Sequence, residues 1–205
     1  MDYMENNRAL VIGKVATPFI FSHELFGEKY YTFRVVAERE SGAEDIIPCM
    51  ISDRLTNTDE DLTGRLVRID GNFRSRNDHT DEEHSKLILS LFAQEFEVIE
   101  DGVDLVHVNT IRLVGYICNK PIFRMTPRGR EICNFLLAVN YRNGKSAYIP
   151  CIAWGRNARF VDTLEISTKV EVLGRIQSRE YVKRHEDGSE EVKVTYEISV
   201  QLVEV

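Results

Sequence analysis

The sequence has little of what marks several large classes of protein. In 205 residues it has one tryptophan, four cysteines and five prolines. No apolar run reaches the roughly 18 residues that a membrane-crossing helix needs. The first residues, Met1 to Asn7, have neither the basic nor the apolar stretch of a secretion signal. We therefore expect an intracellular, cytoplasmic protein.

Motifs for catalysis and metal binding are also missing. The cysteines show no CxxC or Cys/His spacing suited to zinc, so reduced and buried thiols are expected. No HExxH, GxSxG or GxxxxGK[ST] pattern occurs. A nuclease would need clustered carboxylates for metal ions inside a cleft, whereas the acidic runs lie in predicted turns and solvated faces. We expect no enzyme activity, no metal and no cofactor.

Charge is distributed unevenly along the chain. Residues 1–102 contain 11 Lys and Arg against 21 Asp and Glu, a net charge of −10, whereas residues 103–205 contain 15 against 12, a net charge of +3. The overall charge of −7 opposes nucleic-acid binding, which depends on neutralising phosphates. Because the acidity belongs to the first half, that objection does not apply to the second.

The chain contains an internal repeat, which fixes its organisation. Matching segments recur at an offset of 102, and after one insertion at 103. The pairs are Ile12-Gly13 with Val114-Gly115, Phe33 with Phe135, Ile46 to Cys49 with Tyr148 to Cys151, Gly71 with Gly174, and Ser75-Arg76 with Ser178-Arg179. The sequence therefore predicts two domains of one fold.

The second copy predicts five strands and one helix. The strands are Thr110 to Cys118, Ile132 to Tyr141, Ala147 to Trp154, Lys169 to Tyr181 and Val192 to Val203. Between the third and fourth, Ala158, Phe160, Val161 and Leu164 give a short helix an apolar face. This is the order of the oligonucleotide-binding (OB) barrel, so we predict an all-β protein with two tandem five-stranded OB-folds.

The first copy predicts the same series, with a helix at Asp53 to Leu62. The segment from Glu100 to Asp104 has the Gly and acidic residues of an exposed connection. We therefore predict a diverged, acidic domain over 1–100, a linker over 101–109 and a second domain over 110–205.

The second copy resembles the bacterial single-stranded DNA-binding protein family. The matching segments are Val114-Gly115, Thr126 to Gly129, Asn134 to Asn140, Tyr148 to Gly155 and Val172 to Arg179. The first copy matches through Ile12-Gly13, Ile47 to Cys49 and Arg65 to Arg76. The resemblance implies sequence-independent binding and protection of single-stranded DNA in replication, recombination or repair, at the nucleoid. Family members bind a strand in a basic groove while aromatic rings stack on its bases.

The resemblance places base-stacking aromatics at Tyr148, Trp154 and Tyr181, with Tyr141 as a further candidate. Side chains alternate along a strand, so Tyr148 and Trp154 share one face of theirs. The other face has Ile149, Cys151 and Ala153, which suit a barrel interior, so the aromatics are expected on the outer side. The alternative is that they pack against the helix or a second subunit.

Basic residues near that face are candidates for phosphate contact. They are Arg112, Arg128, Arg130, Arg156, Arg179, Lys183 and Arg184. Arg128 and Arg130 flank Gly129 in a predicted turn. Lys183 and Arg184 precede Asp187-Gly188, a hairpin signal, and a basic hairpin there would wrap a strand of nucleic acid.

The first copy lacks these residues at the matching positions. Ile46 replaces Tyr148, Ser52 replaces Trp154, and the segment matching Tyr181 is Asn77 to His79. Its hairpin, Asp78 to Glu83, is acidic and would repel phosphate. We expect this copy to serve geometry, pairing or partner contact more than stacking.

Other functions and assemblies stay open at this point. The chain ends at Val205 without the acidic tail that family members use to recruit partners, so that role is in doubt here. Family members commonly combine four barrels, which implies a homodimer. The alternatives are an accessory binder in replication restart or on a mobile element, and a protein-interaction module whose acidic first domain binds a protein partner.

Overall fold

The computed structural model describes residues 6–78, 86–100, 108–141, 144–184 and 188–205, apart from the side chains of Asn77, Asp78, Lys86 and Lys183. Described residues of the first copy form β1 (Asn7–Val15), β2 (Ile20–Leu25), β3 (Glu28–Glu38), β4 (Glu44–Ser52), β5 (Leu66–Asp78) and β6 (Lys86–Val98). Those of the second form β7 (Val108–Ile117), β8 (Ile122–Met125), β9 (Glu131–Asn140), β10 (Ser146–Trp154), α1 (Arg156–Asp162), β11 (Lys169–Arg184) and β12 (Glu190–Glu204). The helix is too short and polar to cross a membrane, and the described residues include no other helix that could.

Each copy closes into a five-stranded barrel. In the first, the ladder runs β3, β4, β6, β5, β1 and returns to β3 through Lys14 opposite Val36. In the second it runs β9, β10, β12, β11, β7 and returns to β9 through Tyr116 opposite Ala138. The β4–β6 and β10–β12 pairs are parallel and the others antiparallel. The predicted all-β architecture of two tandem five-stranded barrels is confirmed.

Each copy also has a short strand that the sequence analysis did not predict. β2 and β8 pair with β3 and β9 and form the two edges of the sheet. The β2–β3 hairpin turns through Phe26 and Gly27, both with positive φ, which is the geometry of a tight two-residue hairpin turn. These hairpins extend each barrel beyond its closed ladder.

The core alternates along the strands as predicted. On β10, Ala147, Ile149, Cys151 and Ala153 are at most 2% exposed. The glycines that repeat between the copies lie where two strands approach most closely. A Cβ on Gly13 or Gly115 would collide with the carbonyl oxygen of Val36 or Ala138, so these positions exclude side chains.

The helix prediction holds in the second copy and fails in the first. In α1, Ala158 and Val161 are fully buried, although Phe160, predicted on the same face, is 39% exposed. Residues 53–65 of the first copy contain no helix, so the helix predicted at Asp53 to Leu62 is wrong. There Asn57 accepts a hydrogen bond from the Asp59 N–H and Asp61 from the Thr63 N–H. These side-chain bonds stabilise turns in competition with a helix.

The two barrels are joined by an antiparallel ladder between β1 and β7. It runs over six residue pairs, from Asn7 opposite Leu113 to Ile12 opposite Val108. At its centre Ala9 faces Ile111, which is the same position of the repeat. The two copies are therefore related by a local twofold axis, and their strands form one twelve-stranded sheet. β7 begins at Val108, inside the predicted linker, whose residues 101–107 lie outside the described residues.

Two asparagines, the buried Asn7 and the half-buried Asn109, stabilise the two sides of this ladder. Asn7 donates to the Phe73 carbonyl at 2.7 Å and accepts from its N–H at 2.9 Å. Asn109 makes the same two bonds, at the same distances, to Ile176. Each amide thus extends the hydrogen-bonding pattern of the sheet where a backbone partner is missing.

Serines exchange hydrogen bonds across the axis as well. Ser75 Oγ accepts from the Tyr148 N–H at 2.7 Å, and Ser178 Oγ accepts from the Ile46 N–H at 2.9 Å. These are equivalent bonds, because Ser75 matches Ser178 and Ile46 matches Tyr148 in the repeat. The β5–β6 and β11–β12 hairpins of each barrel therefore touch the outer face of the other.

Replacing Asn7 by Ala tests whether its two hydrogen bonds to the Phe73 backbone stabilise the fold. We expect the free energy of unfolding to fall by about 1–3 kcal/mol, because the buried N–H and C=O of Phe73 lose their partners. The measurement is urea unfolding followed by circular dichroism. Thr110→Ala, at an exposed position of the same ladder, serves as the control and is expected to change stability by less than about 0.5 kcal/mol. Equal changes in the free energy of unfolding for the two substitutions would contradict a stabilising role of the Asn7 hydrogen bonds.

Candidate nucleic-acid interface

The outer face of β10 presents the two aromatics that the sequence places there. Tyr148 is 46% exposed and Trp154, at the end of the strand, is half-buried. Neither side chain points into the core, because the core is formed by the alternate residues of the strand. Ile152 lies on the same outer face but is 6% exposed, so this face is covered midway along the strand.

Trp154 lies in a groove that is rich in arginine. The groove has a volume of about 550 Å³. Its lining includes Trp154, Arg130, Arg175, Arg179 and Arg39, together with Gln177, Ser178 and Ser199. Arg39 belongs to the first barrel, so both copies build this groove, which we call the Trp154 groove.

Two of these arginines converge on one buried carboxylate. Asp45 is fully buried and accepts two hydrogen bonds from Arg39, one of them from Nε at 2.7 Å, while Arg175 Nε lies 3.5 Å away. The hydrogen bond with Asp45 raises the pKa of Arg39, whereas burial lowers the pKa of Arg175. The backbone N–H of Ser178 also donates to Asp45. The carboxylate therefore orders both guanidinium groups but neutralises only one of them.

The remaining cations give the groove a net positive charge. Arg179 lies 3.5 Å from Glu197, whose carboxylate also accepts from Gln177. Arg130 is exposed on the turn between β8 and β9. Four arginines thus face two carboxylates, Asp45 and Glu197, and a polyanion in this groove would meet uncompensated positive charge.

Tyr181 lies further out, on the β11–β12 hairpin. It is 41% exposed and stands opposite Lys193. Arg184, 82% exposed in its side chain, is paired with Glu190 at 2.8 Å. The Lys183 side chain and residues 185–187 lie outside the described residues. Because glutamates accompany its cations, the described part of this hairpin is less basic than the sequence prediction assumed.

Two of the predicted site residues lie elsewhere. Arg112 on β7 forms a two-pronged ion pair with Glu171, at 2.6 and 2.7 Å, and lines a different cavity with Arg8 and Arg68. Tyr141 packs against the core at the junction of the barrels. Burial raises the pKa of Tyr141, and the charge of Arg74, from the first barrel, opposes this rise. Neither residue lines the Trp154 groove.

Two other predicted cations are exposed without lining the groove. Arg128 lies in the β8–β9 turn beside Gly129, whose φ of +73° is the left-handed conformation that the turn requires. Arg156 is the first residue of α1, two positions after Trp154. Arg39, in contrast, lines the groove, although the sequence analysis did not identify it. No local pattern marks it, since it comes from the other barrel.

The cysteines are free, and three of the four are buried. Burial raises the pKa of Cys133 to about 11 and raises those of Cys49 and Cys151 further. Such thiols stay protonated at neutral pH and are poor nucleophiles. Among the described residues, no three His, Cys, Asp or Glu side chains are grouped so that they could hold a metal ion.

The fold and the Trp154 groove together define a protein of two tandem OB-folds with an aromatic, arginine-lined face on the second. Residues 108–205 match the model of the single-strand binding protein family. The second barrel is therefore similar to members of that family.

Individual proteins show the same similarity. Single-stranded DNA-binding protein 3 of Listeria innocua is 35% identical over 81 residues, which cover 36% of this chain and 51% of that protein. Single-stranded DNA-binding protein A of Bacillus subtilis is 35% identical over 81 residues, 36% of this chain and 47% of that protein. The chain thus spans about half the length of the curated relatives it matches.

One solved structure covers both barrels. The single-stranded DNA-binding protein from Thermus aquaticus is 19% identical, with a TM-score of 0.77, over 97% of this chain and 91% of that chain. The likeness shows that the tandem fold, including the diverged first copy, has a counterpart in a solved structure.

Proposed function

We propose that this chain binds and protects single-stranded DNA without regard to sequence. The observation that supports this most is the partly exposed Trp154 in a groove with four arginines. An indole offers a flat surface on which any base can stack, and guanidinium groups bind the phosphates on either side. Neither contact reads base identity, which makes the binding tolerant of sequence.

The roles of individual residues follow from their positions. Trp154 and Tyr148 would stack on bases along β10, and Tyr181 on the hairpin would extend the path. Arg130, Arg175, Arg179 and Arg39 would contact phosphates in the groove, with Arg128, Arg156 and Arg184 at exposed positions beyond it. Arg112, paired with Glu171 in another cavity, has no part in this proposal.

We expect single-stranded DNA to bind much more tightly than duplex of the same length, because stacking requires bases whose faces are not covered by neighbouring pairs. Trp154 is the only tryptophan, so its fluorescence reports occupancy of the groove directly. A titration with oligo-dT is expected to quench it. Equal affinity for duplex, or unchanged emission at saturation, would contradict the proposal. Absence of binding to either would favour the protein-interaction module with the acidic first barrel.

The contributions of base stacking and of phosphate contact to the affinity can be separated by varying the salt concentration. Trp154→Ala is expected to cost about 1–3 kcal/mol in binding with little change in the slope of log affinity against log salt. Arg130→Gln is expected to flatten that slope by about 0.7, the value for one phosphate contact on a single strand. The measurement is the affinity for oligo-dT, by fluorescence anisotropy of a labelled strand, at several salt concentrations.

Arg159→Gln is the matched control for the arginine substitution. Arg159 is exposed on α1, pairs with Glu131 at 2.7 Å and does not line the groove. Its loss is expected to leave the slope unchanged. Circular dichroism and thermal melting establish that each variant is folded. If Trp154→Ala unfolds the second barrel, the residue is structural and its stacking role is wrong.

We also propose that two chains associate, which would bring four barrels together. The family resemblance supports this, since its members commonly act with four OB-folds and this chain supplies two. The expected mass in solution is twice 23.7 kDa, measured by light scattering after gel filtration. A mass of one chain across the concentrations used for DNA titration would contradict it.

A further inference from the structure

The twelve-stranded sheet ends in two hairpins that occupy matching positions of the repeat. The β2–β3 hairpin, with its turn in residues 20–29, lies at one end, and the β8–β9 hairpin, with its turn in residues 122–131, lies at the other. Their turn glycines, Gly27 and Gly129, match in the repeat and both have positive φ. Among the described residues β2 and β8 each pair with one strand, so each leaves an open sheet edge.

Exposed apolar side chains are concentrated on the β2–β3 hairpin. Ile20, Phe21 and Leu25 are each more than half exposed, and Phe26, at the tip, is 96% exposed. Phe26 has a φ of +52°, a conformation that favours Gly or Asn and disfavours a bulky side chain. The chain thus keeps a large ring in solvent at a position where neither the core nor the turn requires one.

The β8–β9 hairpin also has an exposed apolar surface, and a helix lies beside it. Ile122 and Met125 are more than half exposed. α1 packs against β8, and its Phe160 is exposed as well. In the first copy, residues 53–65 contain no helix at the matching place. The two ends of the sheet therefore differ in shape although their hairpins are equivalent in the repeat.

The two hairpins carry opposite charge. Residues 20–29 contain two glutamates against one lysine, a net charge of −1, whereas residues 122–131 contain three arginines against one glutamate, a net charge of +2. Glu24 and Arg124 are both exposed. Among the described residues, neither of them lies within ion-pair distance of an opposite charge. Contact between unlike hairpins would pair these charges, whereas contact between like hairpins would place equal charges together.

A contact between unlike hairpins would extend the sheet without closing the assembly. The local twofold axis relates the two hairpins within one chain. Joining β2 of one chain to β8 of a second leaves one free β8 and one free β2 at the ends, so further chains can add. Head-to-tail contacts of this kind produce open rows, whereas a contact between like hairpins stops at two chains.

We propose that the β2–β3 hairpin docks against the β8–β9 hairpin of another copy of this chain. Phe26 would contact the apolar surface around Ile122 and Met125, and Glu24 would lie beside Arg124. None of these five residues lines the Trp154 groove, and the contact goes beyond DNA binding because it joins copies of the chain end to end. Since few side chains take part, the contact is weaker than an interface of standard size.

The mass in solution as a function of protein concentration tests the contact. Sedimentation equilibrium of the full chain, without DNA, is expected to give a weight-average mass that rises beyond two chains as the concentration increases. The low-concentration limit reports the separate association of two chains proposed above, and only the further rise reports the hairpin contact. A mass that stays constant up to about 1 mM, where even weak contacts form, overturns the inference.

Charge reversal tests whether unlike hairpins meet. Glu24→Arg and Arg124→Glu are each expected to weaken the association about tenfold, because repulsion replaces attraction. A mixture of the two variants is expected to restore it, since each reversed side chain then meets a complementary charge on the other variant. Glu165→Arg, exposed in the loop after α1, is the matched control and is expected to behave as the parent protein. A mixture as weak as either variant alone shows that the pairing is wrong.

Phe26→Asn removes the ring and keeps the turn, because Asn is favoured at positive φ. We expect the association to weaken at least about tenfold, as loss of one buried aromatic side chain does. Phe26→Tyr, which retains the ring, is expected to preserve it. Circular dichroism and the affinity for oligo-dT are expected to stay those of the parent protein. Parent-like association of Phe26→Asn would contradict a role of the ring.

Photo-cross-linking identifies the surface that receives Phe26. Benzoylphenylalanine, a photoreactive analogue, is introduced in place of Phe26, and the peptides that it joins in covalently linked chains are identified by mass spectrometry. Cross-links are expected in peptides containing Ile122, Met125 or Phe160. Cross-links between two β2–β3 hairpins, or none between chains, overturn the inference. These measurements are made without DNA, so a failure to bind oligo-dT would overturn the proposed function alone.

Discussion

The antiparallel ladder between β1 and β7 is the interaction on which the rest of the molecule depends. Because Ala9 faces its own repeat counterpart Ile111, the ladder fixes a twofold relation between barrels that no longer share a sequence. Six residue pairs and the side-chain hydrogen bonds of Asn7 and Asn109 stabilise this arrangement. A shift by one residue would turn every side chain of the ladder to the opposite face, so the register is also the condition for forming the grooves.

The Trp154 groove is composed of residues from both copies for this reason. The ladder brings each β5–β6 or β11–β12 hairpin onto the outer face of the opposite barrel, where Ser75 and Ser178 secure it. Arg39 thereby reaches the Trp154 groove and Tyr141 approaches Arg74. The second barrel in isolation would lack Arg39 of this groove, so the functional unit suggested by this geometry is the whole chain.

Patterns within one strand predicted the structure well, and contacts between strands or barrels were predicted poorly. Alternation on β10 was enough to place Tyr148 and Trp154 outside and Cys151 inside, because side chains of a strand must alternate. The helix predicted at Asp53 to Leu62 failed because apolar spacing ignores the bonds of Asn57 and Asp61 to the backbone. Arg39 could not be found, since its proximity to Trp154 depends on a register that no local pattern encodes.

The buried carboxylate of Asp45 shows what joining the two copies in one chain permits. Its repeat counterpart is Ala147, and the counterparts of its partners Arg39 and Arg175 are Tyr141 and Asn72. In a dimer of identical chains, a mutation to Asp at this position would appear on both sides of the axis and would require two compensating arginine pairs at once. In a tandem chain the same change is needed on one side alone. Fusion therefore lets the two halves accumulate different substitutions at equivalent positions, so that one interface can evolve an ionic network while the other evolves aromatic contacts.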